Sequence, residues 1–259
     1  MEELVSATKE SYQSPANVNT TGIAANVVES RRKLLESLVK AGDQLHAYPA
    51  VVSTPYLIWA NPIGILIDSH VEPWNNRARV QGSHQSSAYP PLVDSVSFFY
   101  FWDNPSTQNY ALVNVASTLV TKGFVVATGN TGFLSGGSAM LSASTSLILY
   151  RRAGEAPLSP QATQSVNMYG VQAQGGGFWS GETGKIDTKG VFYEAAVEYK
   201  YLPIPPSSRA IFEVRLSLYT QIFPKGSTSF EFARTAQDNY VQCPALVITV
   251  LSGPIMATG

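Results

Sequence analysis

The residues of this chain best spaced to do chemistry are Asp68, His70 and Glu72, in the run Asp68-Ser69-His70-Val71-Glu72. Successive side chains alternate along a strand, so these three share one face while Ile65, Ile67 and Val71 share the other. An imidazole between two carboxylates on one face can hold a metal ion or do acid–base work. The same spacing also describes the solvent side of an amphipathic strand that stops at Pro73, and this plainer reading is preferred. The other histidines, His46 and His84, add no HxH or HExxH spacing. No metal and no cofactor is therefore expected.

Carboxylates are the second source of chemistry. Glu182, Asp187, Glu194, Glu198 and Glu213 fall within one region. Glycoside hydrolysis needs two carboxyl groups about 5–10 Å apart, and a linear sequence does not supply that distance. There is no GxSxG elbow, Walker loop, EF-hand loop or strand–GxGxxG–helix unit. Gly175-Gly176-Gly177 lacks the lysine and the following helix of a phosphate cradle. No catalytic residue is assigned, and a non-enzymatic role is preferred.

Aromatic residues beside polar ones are more suggestive. Trp74 lies between Pro73 and Asn75, Trp102 precedes Asp103-Asn104, and Phe178-Trp179 follow the three glycines. An exposed ring with amides or carboxylates at its rim is a platform for a sugar or a protein partner. The alternative is that each ring plugs an end of the core.

A third feature is the stretch 111–150, rich in Ser, Thr and Gly, in which Lys122 is the one charged side chain. Within it Leu141, Ala143, Thr145, Leu147 and Leu149 alternate with Ser142, Ser144, Ser146 and Ile148. Apolar residues on one face and small polar ones on the other suit a membrane-inserting hairpin. They equally suit an oligomer contact, since desolvating a hydroxyl costs less than desolvating a charge, or an ordinary core hairpin.

The elements that position these residues are strands. Asp94 to Tyr150 reads as a β-meander, with turn signals at Asn104-Pro105, Lys122-Gly123 and Gly129 to Gly137. Gln81 to Pro91 reads as a polar loop. Val191 to Tyr201 and Arg209 to Thr220 alternate cleanly, and in the second Ala210, Phe212, Val214, Leu216 and Leu218 oppose Glu213, Arg215, Ser217 and Tyr219. Ser30 to Ala47 has helical spacing, with Leu34, Leu35, Leu38, Val39 and Leu45 on one face. The spacing predicts a polar arm over 1–29, an amphipathic helix over 30–47 and one β domain over 48–259. The fold class is all-β: an antiparallel β-sandwich, jelly-roll-like, with one N-terminal α-helix.

Composition narrows function further. The chain has 259 residues, 14 % of them charged, and a net charge of -1. Such a surface cannot neutralise a phosphate backbone, so nucleic acid is not an expected partner. Weak charge permits self-association. Cys243 stands alone in an apolar run, which excludes an internal disulfide and suits a buried thiol. The N-terminus has no Sec-type signal, and no run is long and apolar enough for a membrane-spanning helix. The chain is expected to be soluble as synthesised. The leading expectation is a structural or binding sandwich that assembles with itself, of shell or scaffold type. The alternatives are a pore-forming toxin that uses 111–150 and a carbohydrate-binding or carbohydrate-active module.

Overall fold

The computed structural model describes residues 46–61, 65–72, 76–85, 88–132, 136–151, 159–177 and 183–252. Thirteen strands occupy them: β1 His46–Val52, β2 Leu57–Asn61, β3 Ile65–Glu72, β4 Arg77–His84, β5 Ala88–Asp103, β6 Ala111–Gly129, β7 Ser138–Arg151, β8 Ser159–Gln174, β9 Lys185–Ile204, β10 Arg209–Ile222, β11 Gly226–Glu231, β12 Tyr240–Gln242 and β13 Leu246–Ser252. They form an eight-stranded and a five-stranded antiparallel sheet. The chain is an antiparallel β-sandwich of jelly-roll-like form.

The five-stranded sheet runs β2-β5-β10-β7-β8. In the other, β6 has β9 along one side and β13, β12 and β11 in succession along the other. Alternation then fixes the core. Val96, Phe98 and Tyr100 of β5, Phe212, Val214 and Leu216 of β10, and Leu141, Leu147 and Leu149 of β7 all point between the sheets. Val113, Val115, Leu119 and Val125 of β6 meet them. Burying each such side chain is worth about 1.5–3 kcal/mol, so this interior outweighs any surface ion pair. Polar ties also span the sheets: Tyr100 OH donates to the Cys243 carbonyl at 3.0 Å, and His84 Nε2 meets Asp94 Oδ2 at 2.6 Å.

Several expectations change. The stretch 94–150 is not a meander: β5 and β7 both flank β10, and β6 lies in the opposite sheet. Alternating burial is satisfied equally by a neighbouring strand or a facing sheet, so the pattern does not separate them. Lys122-Gly123 is no turn, because β6 runs straight through it. A Cβ at Gly123 would lie 2.2 Å from the Glu231 carbonyl oxygen, so glycine is there for the close approach of the chain leaving β11. Most of the expected loop Gln81 to Pro91 is strand, in β4 and β5. The clean alternation of 191–201 slips at its end: Tyr201 has φ 57°, a bulge falls between Val113 and Val115, and Leu202 turns inward. His46 and Ala47 begin β1 rather than ending a helix. The arm over 1–29 and the helix over 30–45 lie outside the described residues.

Candidate ligand-binding site

Trp102, a contact candidate of the sequence, is half-buried and packs inward against the main core. Its neighbours Phe101 and Asp103 must then face out from the five-stranded sheet. They do so at the open end of β5, where two further residues, Arg209 and Tyr56, join them. Arg209, at the start of β10, is the direct cross-strand partner of Asp103. Its guanidinium grips the carboxylate with two bonds, Nε to Oδ1 at 2.7 Å and Nη2 to Oδ2 at 2.8 Å. The same guanidinium lies 5.4 Å from the centre of the Phe101 ring. Tyr56 stacks on Phe101, with centroids 4.4 Å apart and planes 26° from parallel.

The frame around these side chains is fixed. Tyr56 N–H donates to the Phe99 carbonyl at 2.7 Å, which ties the approach to β2 onto β5. The buried Asn104 donates to the carbonyls of Asn109, Ile204 and Pro205, and its own Oδ1 accepts Ser106 N–H. Ser207 N–H reaches the Ser106 carbonyl, and Asn104 N–H the Ser208 carbonyl. The loop after β5 and the loop before β10 are thus pinned together at the rim of the site.

The site itself is open. Tyr56 is 60 % exposed, and the side chains of Asp103 and Arg209 are each 58 % exposed. The Arg209 hydrogen bonds hold the Asp103 carboxyl below its ordinary value. The pair therefore stays ionised at neutral and mildly acidic pH. Each partner spends only part of its hydrogen-bonding capacity on the other. What remains is a flat apolar ring beside a planar array of donors and acceptors.

A second arginine–carboxylate pair lies further along the same outward face. Glu213 is fully buried and accepts Arg215 Nε at 2.7 Å and Arg215 Nη2 at 2.6 Å. Ser97 Oγ and Tyr150 OH donate to the same carboxylate, each at 2.5 Å. This carboxylate is saturated by four donors and has no oxygen ready for acid–base work. The other candidate carboxylates do not converge on it. Asp187, Glu194 and Glu198 lie on β9, in the other sheet. Glu194 and Glu198 share a face, but four residues of strand separate them by roughly 13 Å. Glu182 lies outside the described residues.

Asp68, His70 and Glu72 are on β3, at registers opposite Gln81, Arg79 and Arg77, with a bulge between Leu66 and Asp68. Their side chains lie outside what is described, and among the described residues no three acidic, His or Cys groups cluster as metal ligands. Trp74, Phe178 and Trp179 also lie outside. Leu141, Ala143, Thr145, Leu147 and Leu149 form one inward row of β7, all buried between the sheets. Among the described residues no helix is long and apolar enough to cross a membrane. Cys243 is buried, its thiol pushed up to about 11 by burial, with Ser117 Oγ at 3.1 Å.

No protein-family description matches this chain, and no curated protein matches it. Among solved structures, the carbohydrate-binding module TmCBM61 in complex with β-1,4-galactotriose is 10 % identical, with 81 % of this chain and 91 % of that one covered and a TM-score of 0.24. A CBM4 structure is 10 % identical over 76 % of this chain and 94 % of that one, with a TM-score of 0.25. The infectious bursal disease virus Gx strain structure is 11 % identical over 82 % and 43 %, with a TM-score of 0.18. Likenesses with TM-scores this low carry no argument, so the functional reading rests on the site.

Proposed function

We propose that this protein is a non-catalytic glycan-binding sandwich whose contact surface is Tyr56, Phe101, Asp103 and Arg209. One observation carries the reading: a solvent-facing tyrosine stacked on a second ring lies at the edge of a bidentate, ionised Arg–Asp pair. A pyranose has the complementary pattern. Its C–H face is flat and apolar, and its rim carries vicinal hydroxyls that donate and accept together. Tyr56 offers an amphipathic ring at low cost in side-chain freedom. Asp103 accepts from one hydroxyl while Arg209 donates to the next. Neutral sugars with equatorial hydroxyls fit best, because axial groups lift the ring from the aromatic face.

A glycan array probed with the wild-type chain and with Tyr56→Ala tests this. Binding to a set of neutral oligosaccharides that disappears in the variant is the expected result. An array silent for the wild-type chain removes the reading.

Self-association is a second reading, favoured by a different surface. β9 is an edge strand that pairs only with β6 among the described strands, and it exposes Ile186 and Phe192. Light scattering on a sizing column should then give a discrete oligomer, and a monomer at every concentration contradicts it.

A further inference from the structure

Among the described residues the edge of β9 away from β6 is unpaired, and it has a pattern that selects its own partner. Ile186 is 71 % exposed and Phe192 is 69 % exposed, the two most exposed large apolar side chains among the described residues. Both project from the outward face of the eight-stranded sheet, since Val191, Ala195 and Val197 of the same strand point into the core. The outward face also carries two small residues, Gly190 and Ala196. A Cβ built on Gly190 meets nothing within 4 Å, so the surface above it is open. An unpaired edge of this length is a template for a further strand.

We propose that two copies of this chain pair through β9, antiparallel and about a two-fold axis at Val191. This rests on the self-association reading and specifies its interface. In this register Phe192 lies across from Gly190 of the other copy, and Ile186 across from its Ala196. Each large apolar side chain covers a small residue, and two-fold symmetry makes each contact twice. An aromatic ring over a strand glycine is a recurring way to protect that glycine. The polar positions agree: Lys189 faces Tyr193, Thr188 faces Glu194, Asp187 faces Ala195 and Lys185 faces Val197. No like charges are directly opposed. An axis at Lys189 would set that lysine against itself, which destabilises a strand pair. An axis at Thr188 would pair only the start of β9 and leave Phe192 uncovered. Asp187, whose Oδ2 accepts the Gln172 N–H at 2.9 Å, is itself exposed, so β8 does not seal the edge there. A net charge of -1 offers little long-range repulsion between copies.

Gly190→Val tests the register. Within one copy the added methyls enter open space on a strand, so folding should be unchanged. Across the two-fold axis they meet Phe192. The expected results are a concentration-dependent dimer for the wild-type chain and at least a tenfold weaker dimer for Gly190→Val at an unchanged unfolding midpoint. The double variant Thr188→Cys/Glu194→Cys should also give an oxidised dimer on gels. A wild-type chain that stays monomeric at about 100 μM overturns both self-association and the register. A dimer that Gly190→Val leaves intact and the cysteines do not trap overturns the register alone.

Discussion

Two arginine–carboxylate pairs sit on the same outward face of the five-stranded sheet, and both are bidentate at nearly equal distances. Arg209 and Asp103 face each other across two strands at the end of the sheet, with 58 % of each side chain in solvent. Arg215 and Glu213 are two residues apart on β10 in its middle, with 7 % and 0 % exposed. Their chemistry is the same and their surroundings differ. In solvent such a pair contributes about 0–1 kcal/mol. In the interior the desolvation cost is large and is met by further hydrogen bonds, here from Ser97 and Tyr150. The buried pair is committed to the fold, whereas the exposed pair retains unused donors and acceptors for a ligand.

The comparison can be broken most forcibly at Glu213. Glu213→Ala removes the carboxylate that the buried Arg215 grips with two bonds and should cost about 3–5 kcal/mol, read from denaturant unfolding. A loss below about 1 kcal/mol would mean that the pair is hydrated and not structural. Tyr56→Ala is next. It should weaken glycan binding roughly thirtyfold, a loss of about 2 kcal/mol typical of a central aromatic contact, while stability shifts by no more than about 1 kcal/mol. Calorimetric titration and thermal melting separate the two effects.

Asp103→Asn should lower affinity roughly tenfold, a loss of about 1.4 kcal/mol, with little change in the melting temperature. The pH dependence of binding sharpens the same point. Asp103 titrates below its ordinary value because of Arg209. Its ionised form, and with it the pair, is therefore complete above the ordinary aspartate value of about 3.9 and is lost only as pH falls through the lowered one. Affinity should be flat from about pH 7 to about pH 5 and fall below about pH 4. The smallest expected effect is at Cys243. With its thiol pushed up to about 11 and fully buried, it should resist thiol reagents at neutral pH until the chain unfolds.

Much of the sandwich was legible because its strands are amphipathic. The alternation in β10 places Phe212, Val214 and Leu216 inward and Glu213 and Arg215 outward, as it reads in sequence. Strand partners were not legible. Leu141 to Leu149 bury the same face whether they form a hairpin or flank β10 within a sandwich, and only long-range pairing decides. The site was half legible. Its segment at Trp102 stands out in the sequence, but the largest ring of that segment packs against the core and leaves Phe101 and Asp103 outside. Tyr56 and Arg209 are far from it in sequence and meet it only through β2–β5 and β10–β5 pairing. Gly123 misled for a related reason, since a glycine that admits a neighbouring carbonyl looks the same in sequence as one that turns the chain.

The most direct test applies one substitution at both ends of the comparison, with Arg209→Ala and Arg215→Ala each measured for unfolding free energy and for glycan affinity. The predicted results cross. Arg209→Ala should lose about tenfold or more in affinity with stability within about 1 kcal/mol of wild type. Arg215→Ala should lose about 3–5 kcal/mol of stability and keep its affinity wherever it remains folded. If Arg209→Ala binds as well as wild type, or if both variants lose stability alike, the division between a recognition pair and a structural pair is wrong.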